Sequence, residues 1–376
     1  MKHQVQYKLD IISNVWNNYI WDYPSCQKLI NFTKVSQSNY IGDIFGYFHD
    51  TFEIIFNKQS GTDYVQIFSS HISFLQAIYV QQDFIEEMLV IFKTSLTKEH
   101  LKKDFNYSIN REIRNEIIGH PIRKFDGKLV SSSLFGYERS TDKIVYLQYH
   151  EKNNFEFELI EHNIGDIVSR HIEFLNTYFD KIIEKLSQIL SHFKKEIIIV
   201  QNNLPKISFE KLIILLSQKF SYFLNNTYLY DKESITKIYA KRMTHKRYRI
   251  VLECFHKDLR SMLDEQLINC DSVFNMPNNS THKSLDFEIP LFNDDGDFIN
   301  INVKKKVGRP KTNYNYELGK IATKRSPNEF EMYSRFLIGK CKNKTVLSEL
   351  EYMKANIYDE IEYLSSFYHI RKILKN

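Results

Sequence analysis

Glycine (11) and proline (7) are scarce in this 376-residue chain, so it lacks the turn residues that an all-β fold uses at every hairpin. Cysteine is also rare. Cys26, Cys254, Cys270 and Cys341 are too scattered for a disulfide framework or a paired-cysteine zinc site, and they suit a reducing compartment. The longest apolar runs, around residues 197–200 and 212–216, are far too short to cross a bilayer. The polar start, with Gln4, Gln6 and Asp10, has no apolar signal core. A cytoplasmic chain without membrane attachment is the expectation. Lys+Arg 51 against Asp+Glu 46 leaves only +5, so any nucleic-acid footprint must be a local patch. There is no Gly-rich phosphate loop and no serine nucleophile elbow, and neither a metal nor a cofactor is expected.

What is present is helical periodicity. Residues 65–92 repeat apolar side chains at three- and four-residue steps, among them Phe68, Ile72, Leu75 and Ile78. Thr97 is placed to cap a following helix with Leu101, Phe105, Ile109, Ile113 and Ile117 on its apolar face. That helix must stop at Gly119-His120-Pro121, because glycine takes a left-handed C-terminal conformation readily and proline restricts the residue before it. Residues 143–149 and 155–159 change to an extended pattern around Glu151-Lys152-Asn153-Asn154, which predicts a β-hairpin. Residues 164–190 return to a helix.

A second helical block follows Pro205, with helical patterns over residues 212–224 and 235–267. Residues 269–284 are polar and irregular, a boundary or an exposed loop. Residues 285–303 suggest a small hairpin turning at Asn293-Asp294-Asp295-Gly296. Ser326-Pro327-Asn328-Glu329 is a capping box with proline at the first helical position, and residues 346–374 form a closing helix. The expected fold is mainly α: a helical bundle with an inserted β-hairpin over residues 1–200, then a mostly helical region over 201–376.

The stretch richest in chemistry is Arg114-Asn115-Glu116-Ile117-Ile118-Gly119-His120-Pro121. An arginine can hold a phosphate through two parallel hydrogen bonds, and a histidine can move a proton near neutral pH. On an unbroken helix six residues would turn the two side chains about 240° apart. A helix broken at Gly119 frees His120 to swing back towards Arg114. The bare pair is common, since Arg249 and His256 also form one, and a solvent-facing arginine beside a functionless loop histidine is the alternative.

With its position at a helix end, the motif resembles that of HEPN domains, the helical-bundle nucleases of toxin–antitoxin, CRISPR-associated and abortive-infection systems. Their signature is an arginine, a polar residue, a short spacer and a histidine at the end of the third helix. The resemblance covers residues from about 68 to 190. Gln81-Gln82-Asp83 on the preceding helix is similar to the family's polar second-helix position. Ile122 stands where members paired with nucleotidyltransferase antitoxins carry a tyrosine, so control through that residue is not implied.

The resemblance implies a HEPN-like bundle and a metal-independent endoribonuclease that leaves 2′,3′-cyclic phosphate and 5′-hydroxyl ends. It assigns Arg114, Asn115 and His120 as catalytic. It further implies a homodimer with two motifs facing one cleft, RNA as partner, a toxin-like role in antiphage defence, and a cognate inhibitor or trigger protein.

Two features support readings from other classes. Lys241, Arg242, Lys246, Arg247 and Arg249 lie in the most basic stretch, interleaved with Tyr239 and Tyr248. They suit a docking surface for single-stranded RNA or, equally, a solvated helix face. Residues 304–311 hold a Gly308-Arg309-Pro310 core similar to an AT-hook for the minor groove, though a solvated turn explains it as well. The rivals to the nuclease are therefore a non-catalytic nucleic-acid-binding or dimerisation protein and a DNA-binding regulator. The acidic turn at Asn293–Asp297 lacks the spaced ligands of a calcium loop, and His162 and His171 are expected to be structural.

Overall fold

A computed structural model describes residues 2–34, 40–57, 63–134, 141–225, 229–275, 314–323 and 326–375. These residues are mainly helical, with one four-stranded antiparallel sheet. They divide into two units, Met1–Asn202 with Leu267–Asn278, and Asn203–Gln266 with Asn279–Asn376.

The first unit contains α1 (Lys2–Val15), α2 (Pro24–Gln27), α3 (Tyr40–Phe56), α4 (Tyr64–Ile91), α5 (Lys98–Lys103), α6 (Phe105–Arg114) and α7 (Ile164–Asn203). Asp63 starts α4 by accepting the Gln66 N–H at 3.0 Å. The single helix expected after Thr97 is two. Asp104 accepts the Asn106 N–H at 2.7 Å, caps a new helix and turns Phe105 into solvent, so that residue leaves the expected apolar face. α6 passes directly into a π-helical turn, Asn115–Gly119.

The inserted element is larger than a hairpin. β1 (Ile122–Phe125), β2 (Lys128–Leu134), β3 (Lys143–His150) and β4 (Phe157–Asn163) form a meander in that order. β3 and β4 are the expected pair, registered Lys143↔Asn163 through Tyr149↔Phe157. β1 and β2 are joined by Asp126-Gly127, both at positive φ (49° and 78°), the two-residue turn that matches strand twist. One sheet face sends Val130, Ile144 and Tyr146 inward, while the other leaves Ile122, Leu129, Phe157 and Leu159 exposed.

Ile55, Phe74, Leu75, Ile78, Ile113, Ile117, Ile144 and Ile167 form a core cluster joining α3, α4, α6 with its π turn, β3 and α7. Each such side chain contributes about 1.5–3 kcal/mol on burial. Beside it runs a polar layer. Gln81 donates to Thr51 Oγ1 (2.9 Å) and faces His171 Nε2 (2.8 Å). Gln82 donates to the Tyr107 carbonyl (3.0 Å), and Asn110 to the Ile167 carbonyl (2.9 Å).

The second unit holds α8 (Phe209–Lys219), α9 (Tyr222–Asn225), α10 (Lys232–Ala240), most of α11 (Lys246–Ser272), α12 (Asn315–Thr323), α13 (Pro327–Lys340), α14 (Lys344–Ala355) and α15 (Glu360–Lys375). The pattern over 235–267 is broken by a turn at 241–245. The closing helix is likewise two, because Asp359 accepts the N–H groups of Ile361 and Glu362 (both 3.1 Å) and starts α15. Ser326 caps α13 as its motif predicts, accepting the Glu329 N–H and donating to the Glu329 carboxylate at 2.6 Å. The irregular stretch expected from 269 begins as the end of α11. The hairpin at 285–303, the acidic turn and the Arg309 segment lie outside the described residues.

Candidate active site

The last residue of α6 is Arg114, and the π turn carries the chain from it to His120. The His120 N–H closes that turn on the Asn115 carbonyl at 2.7 Å. Such turns recur at functional sites because they re-aim the residues that follow. Gly119 is not left-handed, which corrects the expected cap. Its missing side chain serves a different purpose. A Cβ there would stand 2.6 Å from Arg114 Nη1 and 3.2 Å from Asn115 Oδ1, so the guanidinium lies against the Gly119 backbone, one residue from His120.

Neutral groups hold that guanidinium. Nε and Nη2 donate to Gln76 Oε1 (3.2 and 3.0 Å), Nη1 donates to Asn115 Oδ1 (3.2 Å), and Cζ sits 3.9 Å from the Tyr79 ring centroid. Two of the five arginine N–H donors remain for an incoming oxygen, one on each terminal nitrogen. No carboxylate pairs with Arg114 among the described residues. The motif's own acid is occupied elsewhere: Glu116 pairs with Arg123 and accepts the Tyr146 hydroxyl at 2.6 Å. Burial and that carboxylate push the Tyr146 hydroxyl well above the ordinary tyrosine value. His120 is exposed, and Asn115 touches the arginine through its side chain.

One helical turn back, Arg111 lies over the same Tyr79 ring (4.1 Å) but is neutralised by Asp83 at 2.8 Å. Gln81 and Gln82 belong to the buried polar layer and do not reach the motif. The supporting residues from α4 are instead Gln76 and Tyr79, which the sequence reading missed. Their signal was available, since Gln76, Tyr79 and Asp83 stand at i, i+3 and i+7 on one helix face. His171 is fully buried, and burial pulls it down to about 3. His162, stacked on Tyr146 at 5.8 Å, is also lowered by burial.

In the second unit the basic stretch separates into two sets. Arg247 is buried, meets Glu349 at 3.1 Å and lies 3.4 Å from the Tyr352 centroid. Lys241 pairs with the buried Glu362, which also accepts the Tyr352 hydroxyl at 2.9 Å. Tyr248 is buried and Tyr239 stacks on Phe209 at 4.1 Å, so neither ring is turned out for a base. Arg242, Lys246 and Arg249 keep solvent contact. Arg242 and Arg249 line a groove of about 850 Å³ with His256, Lys257 and Arg260.

Set beside known proteins, the chain matches no family model, no curated protein sequence and no solved structure.

Proposed function

We propose that the first unit is a metal-independent endoribonuclease of HEPN type, acting through Arg114, Asn115 and His120. The observation that carries this reading is a half-buried arginine held only by neutral partners against the backbone next to an exposed histidine. Arg114 stabilises the charge that builds on the phosphorane oxygens, and Asn115 aims the guanidinium. The 2′-oxygen attacks the adjacent phosphorus and the P–O5′ bond breaks. His120 takes the 2′-hydroxyl proton, and the histidine of a second copy supplies one to the departing 5′-oxygen. DNA has no 2′-hydroxyl and is not cut. The homodimer is supported by the sparse catalytic set and by the exposed apolar sheet face that begins at Ile122, two residues past His120. The setting implied is a toxin-like effector with RNA as substrate and an inhibitor or trigger protein as regulator.

The test is cleavage of RNA in EDTA by wild type, Arg114→Ala and His120→Ala, each checked for dimer mass by light scattering. Activity retained by His120→Ala, or lost by wild type in EDTA, refutes the reading.

A further inference from the structure

The second unit brings two histidines and a glutamate together from three elements: His245 from the turn before α11, Glu349 from α14 and His369 from α15. One donor atom from each lies within 4.8 Å of the others. Glu349 Oε1 is 3.0 Å from His369 Nδ1 and 3.8 Å from His245 Nδ1. Donors that share one zinc at about 2.0–2.2 Å stand about 3.0–3.6 Å apart, so small side-chain shifts close this set on an ion. Glu349 and His369 are buried, and His245 stands at the rim of a cavity of about 390 Å³ that all three line with Lys246, Lys344 and Ser348.

We propose that His245, Glu349 and His369 bind one divalent transition-metal ion, zinc-like in its preference, with a coordination position open to the cavity. A buried ion pair alone does not call for this arrangement. Arg247 already balances Glu349, with Nε 3.1 Å from Oε2 and Nη2 3.3 Å from Oε1. His369 at 3.0 Å and His245 at 3.8 Å from the same carboxylate oxygen add donors that the pair does not need. His245 Nδ1 accepts the Arg247 backbone N–H at 3.2 Å, so that nitrogen is unprotonated, and an ion bound through it takes the place of this hydrogen bond. With a metal bound, Arg247 becomes the outer partner that orients the carboxylate. Two imidazoles and one carboxylate favour Zn(II), Co(II) or Ni(II) over magnesium or calcium. Lys246 and Lys344 beside the open position favour an anion as the remaining ligand.

The test uses the full chain, stripped with EDTA and dialysed, then titrated with Zn²⁺ by calorimetry and with Co²⁺ by visible absorption. One equivalent is expected to bind at micromolar concentration or tighter, with cobalt d–d bands. His245→Ala should weaken both by about tenfold or more. This rim variant spares the Arg247–Glu349 pair, and an unchanged circular-dichroism melt verifies its fold. Affinity should fall as the pH is lowered, because protons compete with the ion for imidazole nitrogen. Absence of a saturable site, or equal binding by wild type and His245→Ala, overturns the proposal. The proposal does not rest on the ribonuclease reading, whose own test is run in EDTA.

Discussion

Arg114 and Arg247 both stand out in the sequence, and the structure treats them in opposite ways. Arg114 is held by an amide oxygen from each of Gln76 and Asn115 and by the Tyr79 ring, none of which carries charge. Arg247 is buried against the carboxylate of Glu349. An arginine fixed by neutral partners keeps its full charge for a ligand, whereas one paired with a buried acid is committed to the fold. Arg111, one turn from Arg114 on the same helix and over the same ring, supplies an internal control, because Asp83 neutralises it.

The comparison is tested most severely at the motif. Arg114→Ala or His120→Ala should lower RNA cleavage about a hundred- to ten-thousand-fold while the melting temperature barely moves. If melting falls in parallel with activity, Arg114 is a structural residue like Arg247. The converse experiment is Arg247→Ala, which leaves Glu349 buried without its arginine. A loss of about 3–5 kcal/mol from the second unit is expected in denaturant titration, with the cleavage step unchanged.

A pH titration isolates one buried group of the first unit. His171 is neutral in the fold, pulled from 6.5 to about 3 by burial, and regains its ordinary affinity for protons on unfolding. The unfolded chain therefore binds the extra proton. The contribution of His171 to stability is complete above pH 6.5 and is lost as pH falls towards about 3, by up to about 1.4 kcal/mol for each unit. His171→Gln should flatten that slope in urea titrations run from pH 7 to 5, and an unchanged slope would reject His171 as its source.

Gly119→Ala probes the contact between the arginine and the helix end. The added Cβ would stand 2.6 Å from Arg114 Nη1, the far end of a flexible side chain, which can shift at the cost of its contacts to Gln76 and Asn115 rather than of the core. Cleavage should drop about tenfold, the loss expected from about 1.4 kcal/mol of misplaced transition-state contact. Unchanged activity would mean that the present guanidinium position is not the working one. The smallest effect belongs to the solvent-facing cations. Replacing Arg242, Lys246 and Arg249 with Gln should each lower the log–log salt slope of single-stranded RNA binding by about 0.7. An unchanged slope would leave them as a solvated face.

The helical character of the described residues and the end of the helical run at Gly119 were legible in the sequence, because apolar periodicity and the Gly119-His120-Pro121 stop are local signals. So was the β3–β4 pair. β1 is short and largely exposed and β2 spends its buried positions on Val130 and Ser132, leaving almost no apolar alternation to read, although Asp126-Gly127 marked their turn. Helix breaks were lost wherever a single aspartate did the capping, at Asp104 and Asp359, because the apolar pattern continues across them. At the candidate site Arg114, Asn115 and His120 could be named; the spacing of Gln76, Tyr79 and Asp83 marked one face of α4, but that this face meets Arg114 depends on how α4 packs on α6. The cluster of His245, Glu349 and His369 was beyond reach for the same reason: its members adjoin only after α14 and α15 have folded beside the start of α11.

The buried polar layer of Gln81, Gln82, Asn110 and His171 acts as a length standard along the helix axes. Apolar side chains tolerate slippage, since one hydrocarbon contact can replace another. These four cannot slip without orphaning polar groups at about 1–3 kcal/mol each. Shifting α4 by a single residue against its neighbours moves it about 1.5 Å and turns every side chain about 100°. Gln82 is pinned to the Tyr107 carbonyl of α6, and Gln76 lies six residues, about 9 Å, further along the same rod. The reach from Gln76 to Arg114 is thereby fixed by a discrete notch rather than by elastic packing, and the geometry at the end of α6 is indexed from the middle of the bundle.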